Sequence, residues 1–333
     1  MRLRRPTFRL YNFIRSIVTL VLRMKGSPMK NVDVYAYGVI SSSTLHLLRQ
    51  SFPSPDGYAE IAQTYPMTGG EALNSSIVLS RLGMRVLLDG NWIGDTADGR
   101  RLLERIQTYA IDTRLLTLME GYEGVREIVF SDEHTRTIFG NYIDLLTTTR
   151  KWNIPRKEDV QQAQIVCVDP PFGEESVLVG QFSAELGIPF VSIDCAYDHE
   201  LATNAEVVIV SGEFRDREYP QADLRSLFCA YQQRAQGMVV FTVGADTILY
   251  ARNGEPVKQF KPYPVKVIDS AGAGDSFRAG ILYGLLKKWD DDETIRYASA
   301  VAALVCASFP GVLNSPTPAE VTQFLQEHSH PRE

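Results

Sequence analysis

Asp269-Ser270-Ala271-Gly272-Ala273-Gly274-Asp275-Ser276-Phe277 follows a strand-like apolar run, Val265–Ile268, and opens a helical pattern that continues from Gly274 to Lys287. Small residues there let a polyanion approach the backbone. The N–H groups of Gly272, Ala273 and Gly274 would converge on it together with the positive end of the helix dipole. Asp275, at the same helix start, would be held ionised by the dipole and the free amides, and so be poised to accept a proton from an attacking hydroxyl. A Walker loop requires GxxxxGK[ST], a string found nowhere in the chain. A dinucleotide fingerprint GxGxxG would need glycine at Phe277 and would set the Asp275 carboxylate against a pyrophosphate. The combination that remains describes phosphoryl transfer, in which a protein mainly positions reactants and stabilises spreading charge, so an anion hole and one carboxylate base suffice alongside Mg²⁺. The alternative for Asp275 is a plain N-cap after a glycine turn.

The stretch closes a long alternation. From Asn31 onward, strand candidates Val32–Gly38, Val86–Leu88, Ile165–Val168, Phe190–Ile193, Val207–Val210 and Val239–Val243 are mostly continuous apolar runs, as buried parallel strands are. Helical patterns occupy Ala72–Leu82, Thr96–Tyr109, Glu174–Leu186, Ala222–Ala235, Gly274–Lys287 and Asp291–Ala307. This order predicts an α/β fold with a doubly wound, mostly parallel sheet flanked by helices on both faces. Two segments, about 44–67 and 115–142, break the rhythm with alternations such as Arg126-Glu127-Ile128-Val129-Phe130 and Thr135-Arg136-Thr137-Ile138-Phe139. They predict a small antiparallel β lid over a cleft, against the alternative of a sheet extension without function.

Composition narrows the function classes. The 333 residues carry 34 Lys+Arg against 40 Asp+Glu, a net charge of −6, with 44% hydrophobic and 22% charged residues. That excludes a polybasic nucleic-acid binder and a disordered chain, and no stretch approaches the roughly 20 apolar residues of a membrane-spanning helix. Residues 1–30 hold eight basic residues and no acid, leaving 26 basic against 40 acidic for the remainder. This segment reads as a non-domain extension ahead of a domain over 31–327, with a polar tail at 328–333; the rival reading is a basic segment that touches anionic lipid. Cys167, Cys195, Cys229 and Cys306 lack CxxC spacing and fit buried thiols in a reducing, cytoplasmic compartment. His46, His134, His199, His328 and His330 show neither metal-ligand spacing nor a nucleophile partner.

Asp-Ser-Ala-Gly-Ala-Gly-Asp-Ser-Phe closely resembles the C-terminal signature of the PfkB family of carbohydrate kinases, the ribokinase-like group, usually written DTxGAGD. Gly69-Gly70-Glu71-Ala72-Leu73-Asn74 resembles the family's GG-x-x-x-N element, and similarity continues through Gly94–Gly99 and Thr242-Val243-Gly244 to Gly311, spanning residues 32–325 in all. The resemblance implies a ribokinase-like fold and transfer from ATP·Mg²⁺ to a sugar, sugar acid, sugar phosphate or nucleoside. It implies Asp275 as base, Gly272, Ala273 and Gly274 as anion hole, and Thr242 and Gly244 at the nucleotide. Gly69, Gly70 and Asn74 would face the acceptor, and Asp269, Ala271, Gly311 and Ser315 would surround a monovalent cation such as K⁺. A homodimer paired through the lid is implied as well.

The pattern also departs from the family. Ser43 stands where a GxxxxD arrangement places an aspartate that grips sugar hydroxyls. The NxxE element is degraded, with Ser211 for Asn and Glu213 one residue early, so Glu213 would reach Mg²⁺ through water. Thr242-Val243-Gly244-Ala245-Asp246-Thr247 lacks the second glycine of TxGxxG. These losses motivate a competing class, a catalytically weak ligand-binding member acting as sensor or scaffold. A chain begun at Met29 should keep the ADP-release rate of the full chain, and a lost rate would show that residues 1–28 belong to the working domain.

Overall fold

Val34-Tyr35-Ala36-Tyr37-Gly38 forms β1 (Val34–Gly38), and each of its residues is buried. In the computed structural model, which describes residues 31–132, 136–147 and 149–328, β1 sits inside a nine-stranded sheet. The segment 1–30 and residues 329–333 lie outside the described residues, so the extension and most of the polar tail are not addressed by the fold. The chain continues through β2 (Ser41–Leu48), β3 (Ile61–Gly69), β4 (Val86–Gly90), β5 (Ile93–Gly94), β6 (Ile111–Asp112), β7 (Leu118–Met119), β8 (Arg126–Ser131) and β9 (Arg136–Gly140). It then supplies β10 (Ile165–Val168), β11 (Phe190–Ile193), β12 (Val207–Val210), β13 (Met238–Val243), β14 (Thr247–Ala251) and β15 (Lys258–Phe260).

The large sheet has the order β15-β14-β13-β12-β11-β10-β1-β4-β6. Its neighbours are parallel from β6 to β13, and the last two pairings are antiparallel. Side chains alternate between faces, and the apolar runs supply both. Val34 and Ala36 join one core with the helices Glu71–Arg81, Ala273–Lys287 and Asp291–Cys306. Tyr35 and Tyr37 join the other, with Val179 of the helix Glu174–Leu186 and Phe228 of the helix Leu224–Gln232. From β1 the chain turns one way to β4 and β6, and from β10 the other way to β15. The order thus reverses between β1 and β10, which opens a crevice at the carboxyl ends of these strands.

The second sheet has the order β3-β2-β8-β9 and forms the lid. Its strands extend beyond the expected bounds, since β2 begins at Ser41 and β3 ends at Gly69. It is not wholly antiparallel: two hairpins, β2–β3 and β8–β9, join through a parallel β2–β8 pairing. Alternation in sequence fixes which side chains share a face but not strand direction, and both hairpins send their first strand out the same way. Val265–Ile268 is not a strand either. Val267 and Ile268 are exposed, and the N–H groups of Ile268 and Asp269 bond the Cys306 carbonyl at 2.7 and 3.1 Å. Of the cysteines, Cys167 and Cys195 are buried as expected, Cys306 is partly buried, and Cys229 is exposed. No helix among the described residues is long and apolar enough to cross a membrane.

Beneath the crevice lies a wholly buried ion pair. Arg278, on the helix Ala273–Lys287, donates through Nη1 to Asp169 Oδ1 and through Nε to Ser75 Oγ at 3.1 Å. Asp169 follows β10, and its Oδ2 accepts the Val39 N–H at 2.9 Å. Removing one partner of such a pair leaves an uncompensated buried charge. Arg278→Met should therefore lower unfolding stability by about 3–5 kcal/mol in urea titrations, and Arg278→Met with Asp169→Leu should recover much of the loss.

Candidate active site

The helix Ala273–Lys287 starts where only glycine fits. Gly272 has φ 73°, and a Cβ there would lie 2.3 Å from Val312 Cγ2. The Ser276 N–H bonds the Gly272 carbonyl at 2.9 Å and begins the helical ladder. Of the three amides expected to form the anion hole, that of Ala273 is engaged by the Ser270 carbonyl at 3.3 Å. The N–H groups of Gly272, Gly274 and Asp275 have no hydrogen-bond partner among the described residues. Three amides at this helix start are thus left available to a ligand, two of them, Gly272 and Gly274, among those expected.

Asp275 is half-buried at the same helix start, and its Oδ2 accepts the Asn74 side-chain N–H at 2.9 Å. Asn74 Oδ1 in turn accepts the Thr68 hydroxyl at 3.3 Å, and Ser75 Oγ donates to the Asp275 carbonyl at 3.1 Å. Gly69 and Gly70 end β3 and lead into the helix Glu71–Arg81, which carries Asn74 and Ser75 to this point. The helix end expected to hold Asp275 ionised is not the largest influence on it. Desolvation pushes its carboxyl up to about 6 in spite of the Arg278 charge and the Asn74 bond, with Asp169 and Glu127 pushing the same way. A helix end contributes about 0.3–1 kcal/mol to such a carboxylate, whereas burial can shift one by several times that.

A cavity of about 600 Å³ lies between the lid and the crevice. Its wall brings together Ser43, Gly69, Gly70, Asn74, Gly272 and Asp275 with Glu213, Asp269 and Ala271. Thr242 and Gly244 are not on this wall. Thr242 is the penultimate residue of β13, beside the start of the helix Gly212–Glu218, its carbonyl 3.5 Å from where a Gly212 Cβ would be, and Gly244 is exposed in the turn to β14. Asp269 accepts the N–H groups of Ala271 at 2.9 Å and Gly311 at 3.1 Å, which gathers three of the four expected cation positions. The fourth, Ser315, is buried with its hydroxyl unpartnered. No cluster of three His, Cys, Asp or Glu side chains among the described residues is placed to hold a metal alone. One carboxylate on this wall, Glu213, fits a Mg²⁺ that arrives with phosphate and keeps most of its waters.

Sequence reading passed over several polar groups here. Glu71, inside the Gly-Gly element, lines the cavity, and the surrounding protein together with Asp169 and Asp275 raises its carboxyl. Ser211, expected to be a lost Asn, is an N-cap: its Oγ accepts the Phe214 N–H at 3.0 Å and donates to Asp194 Oδ2 at 2.9 Å. Glu127 and Tyr142 also line the cavity. A usable signal existed for Glu127, since alternation places it on the same face as Val129.

Residues 53–318 match the family model of the pfkB family carbohydrate kinases. The chain belongs to the PfkB family of carbohydrate kinases. The nucleoside kinase of Methanothermobacter thermautotrophicus is 24% identical over 289 residues, covering 84% of this PfkB chain and 90% of the relative. The structure of a putative ribokinase from Agrobacterium tumefaciens superposes with a TM-score of 0.79 at 21% identity, over 90% of this chain and 99% of the other. That of Arabidopsis thaliana ribokinase complexed with ribose and ATP gives 0.75 at 15% identity, over 89% and 99%. These likenesses establish the ribokinase-like architecture, and PfkB membership implies kinase activity in general.

A base works only when unprotonated, so a carboxyl raised to about 6 should switch turnover off as pH falls through that value. The kcat profile should show a one-proton acid limb near 6. Asn74→Ala, which removes a bond that favours the ionised form, should move that limb to higher pH.

Proposed function

We propose that the protein transfers the γ-phosphoryl group of ATP to a hydroxyl of a small, sugar-like acceptor. The observation that carries this reading is the Asp275 carboxyl, oriented by Asn74 at 2.9 Å and placed one residue from unpartnered amides at a long helix's N-terminus. Asp275 takes the proton of the attacking hydroxyl, and the amides around Gly272–Gly274 receive the charge that spreads over the moving phosphoryl oxygens. In this reading Gly69, Gly70, Asn74 and Ser43 face the acceptor, while Thr242 and Gly244 border the nucleotide. Glu213 would hold Mg²⁺ through water, and the ion would neutralise phosphate charge. Asp269, Ala271, Gly311 and Ser315 would surround K⁺, and the unpartnered Ser315 hydroxyl supports that role.

The lid narrows the acceptor. Its inner face adds Leu45, Leu47, Met67, Val129 and Ile138 to the cavity wall, with Phe309 opposite. A free sugar leaves the accessible parts of Leu47, Ile138 and Phe309 facing water, whereas a nucleoside covers them with its base. Burying about 100 Å² of apolar surface contributes about 2.5 kcal/mol. The likeness to a nucleoside kinase supports the same preference. On the outer lid face Ile128 and Phe139 are exposed, and a lid-to-lid homodimer would cover them.

ADP release with Mg²⁺ and ATP should be measured over sugars, sugar acids, sugar phosphates and nucleosides, with Asp275→Ala in parallel. Nucleosides should exceed free sugars by roughly 10- to 100-fold in kcat/KM. Asp275→Ala should lower kcat by about 10²–10⁴ with nucleotide affinity kept. Silence across the panel from a protein that binds ATP would sink the kinase reading.

A further inference from the structure

We infer that Glu127 selects the acceptor, its carboxylate holding two neighbouring hydroxyls of an uncharged polyol. The inference rests on the kinase reading and gives the same cavity its specificity residue. Glu127 is the register partner of Ser43 across the parallel β2–β8 pairing, and both side chains line the cavity. Along the inner lid face the next positions on the same two strands are Leu45 and Val129, both buried. A carboxylate set beside this apolar patch needs donors.

The structure supplies one donor and leaves room for others. Tyr142 donates its hydroxyl to Glu127 Oε1. Oε2 lies against Gly69, where a Cβ would come within 2.3 Å of it, so the backbone there is open to admit the carboxylate. Glu127 is also close enough to Asp275 for its charge to push that carboxyl up. An acceptor whose reacting hydroxyl points at Asp275 therefore has its remaining hydroxyls within the field of Glu127.

The chemistry follows from donor and acceptor counts. Hydroxyl protons of a polyol need acceptors once water is excluded, and a carboxylate offers two oxygens with about four lone-pair sites. Bonds to an ionised oxygen are the strong kind. The Ser43 hydroxyl is short and uncharged, so it supplements Glu127 without replacing it. Beside Glu127 the cavity disfavours an anion: Glu127 and Asp275 both line that end, and a sugar acid or sugar phosphate presenting its charged group to Glu127 meets like charge.

Glu127→Gln keeps shape and removes charge at a half-buried lid position. With adenosine or ribose as acceptor, KM for the acceptor should rise by about 10- to 100-fold, while KM for ATP stays within about twofold. The parent enzyme should lose a similar factor on 2′-deoxyadenosine or 3′-deoxyadenosine, and Glu127→Gln should lose little more on these analogues. Tyr142→Phe should show a smaller rise of the same kind. Calorimetry of acceptor binding to the ATP-free protein repeats the comparison without turnover. An unchanged acceptor KM in Glu127→Gln, or an equal rise for ATP, overturns the assignment and leaves the kinase reading standing. A parent protein that neither turns over nor binds any of these polyols overturns both.

Discussion

The contact between Arg278 and Asp169 fixes the geometry around which the site is built. Both side chains are out of reach of solvent, so each charge is tolerable only because the other is beside it. Through Asp169 the pair reaches the turn after β1, by way of the Val39 N–H; through Ser75 it reaches the helix that carries Asn74. Ser75 passes the connection on to the Asp275 carbonyl. Three elements that meet at the reversal of strand order are thus held in one register by polar bonds that apolar packing could not make directional. A buried ion pair is weak evidence for net stability, and its role here is to specify one arrangement among similarly packed ones.

The same guanidinium shapes the electrostatics of Asp275, the proposed base. Asp275 experiences opposing influences: desolvation, Asp169 and Glu127 favour its neutral form, whereas Arg278 and Asn74 favour its charge. The resulting value of about 6 lets a carboxyl be ionised at neutral pH while remaining basic enough to accept a proton. A carboxylate at an exposed helix end would be ionised more fully and would be a poorer base.

The core of the fold was legible in the chain because continuous apolar runs such as Ile165–Val168 and Val207–Val210 are long enough to be strands and too uniform to be surface elements. The helix start at Gly272 was legible for a similar reason, since a glycine turn after an apolar run and before a helical pattern marks a boundary. Val265–Ile268 misled because local composition cannot tell a strand from an extended segment; the end of this one bonds instead to the Cys306 carbonyl that closes the helix Asp291–Cys306. Lid direction was hidden because alternation is the same in both senses. The Arg278–Asp169 pair lies 109 residues apart in sequence, and nothing at either position names the other. The value at Asp275 depends on burial contributed by the lid and two helices, so a reading of the helix start alone found the dipole and missed the larger effect.

The parallel β2–β8 pairing has a consequence for how the molecule assembles. Some eighty residues separate the two strands, and within that interval the chain must place β4 and β6 in the large sheet before β8 can meet β2. Each lid hairpin alone is a two-stranded ribbon, marginal in water. Loop-closure entropy must be overcome before so distant a contact is rewarded. The lid should therefore form late in folding and open early in unfolding, with the central sheet persisting beneath it. Its backbone amides should belong to the fast-exchanging part of the domain, so the surface proposed to grip the acceptor is drawn from its less protected region.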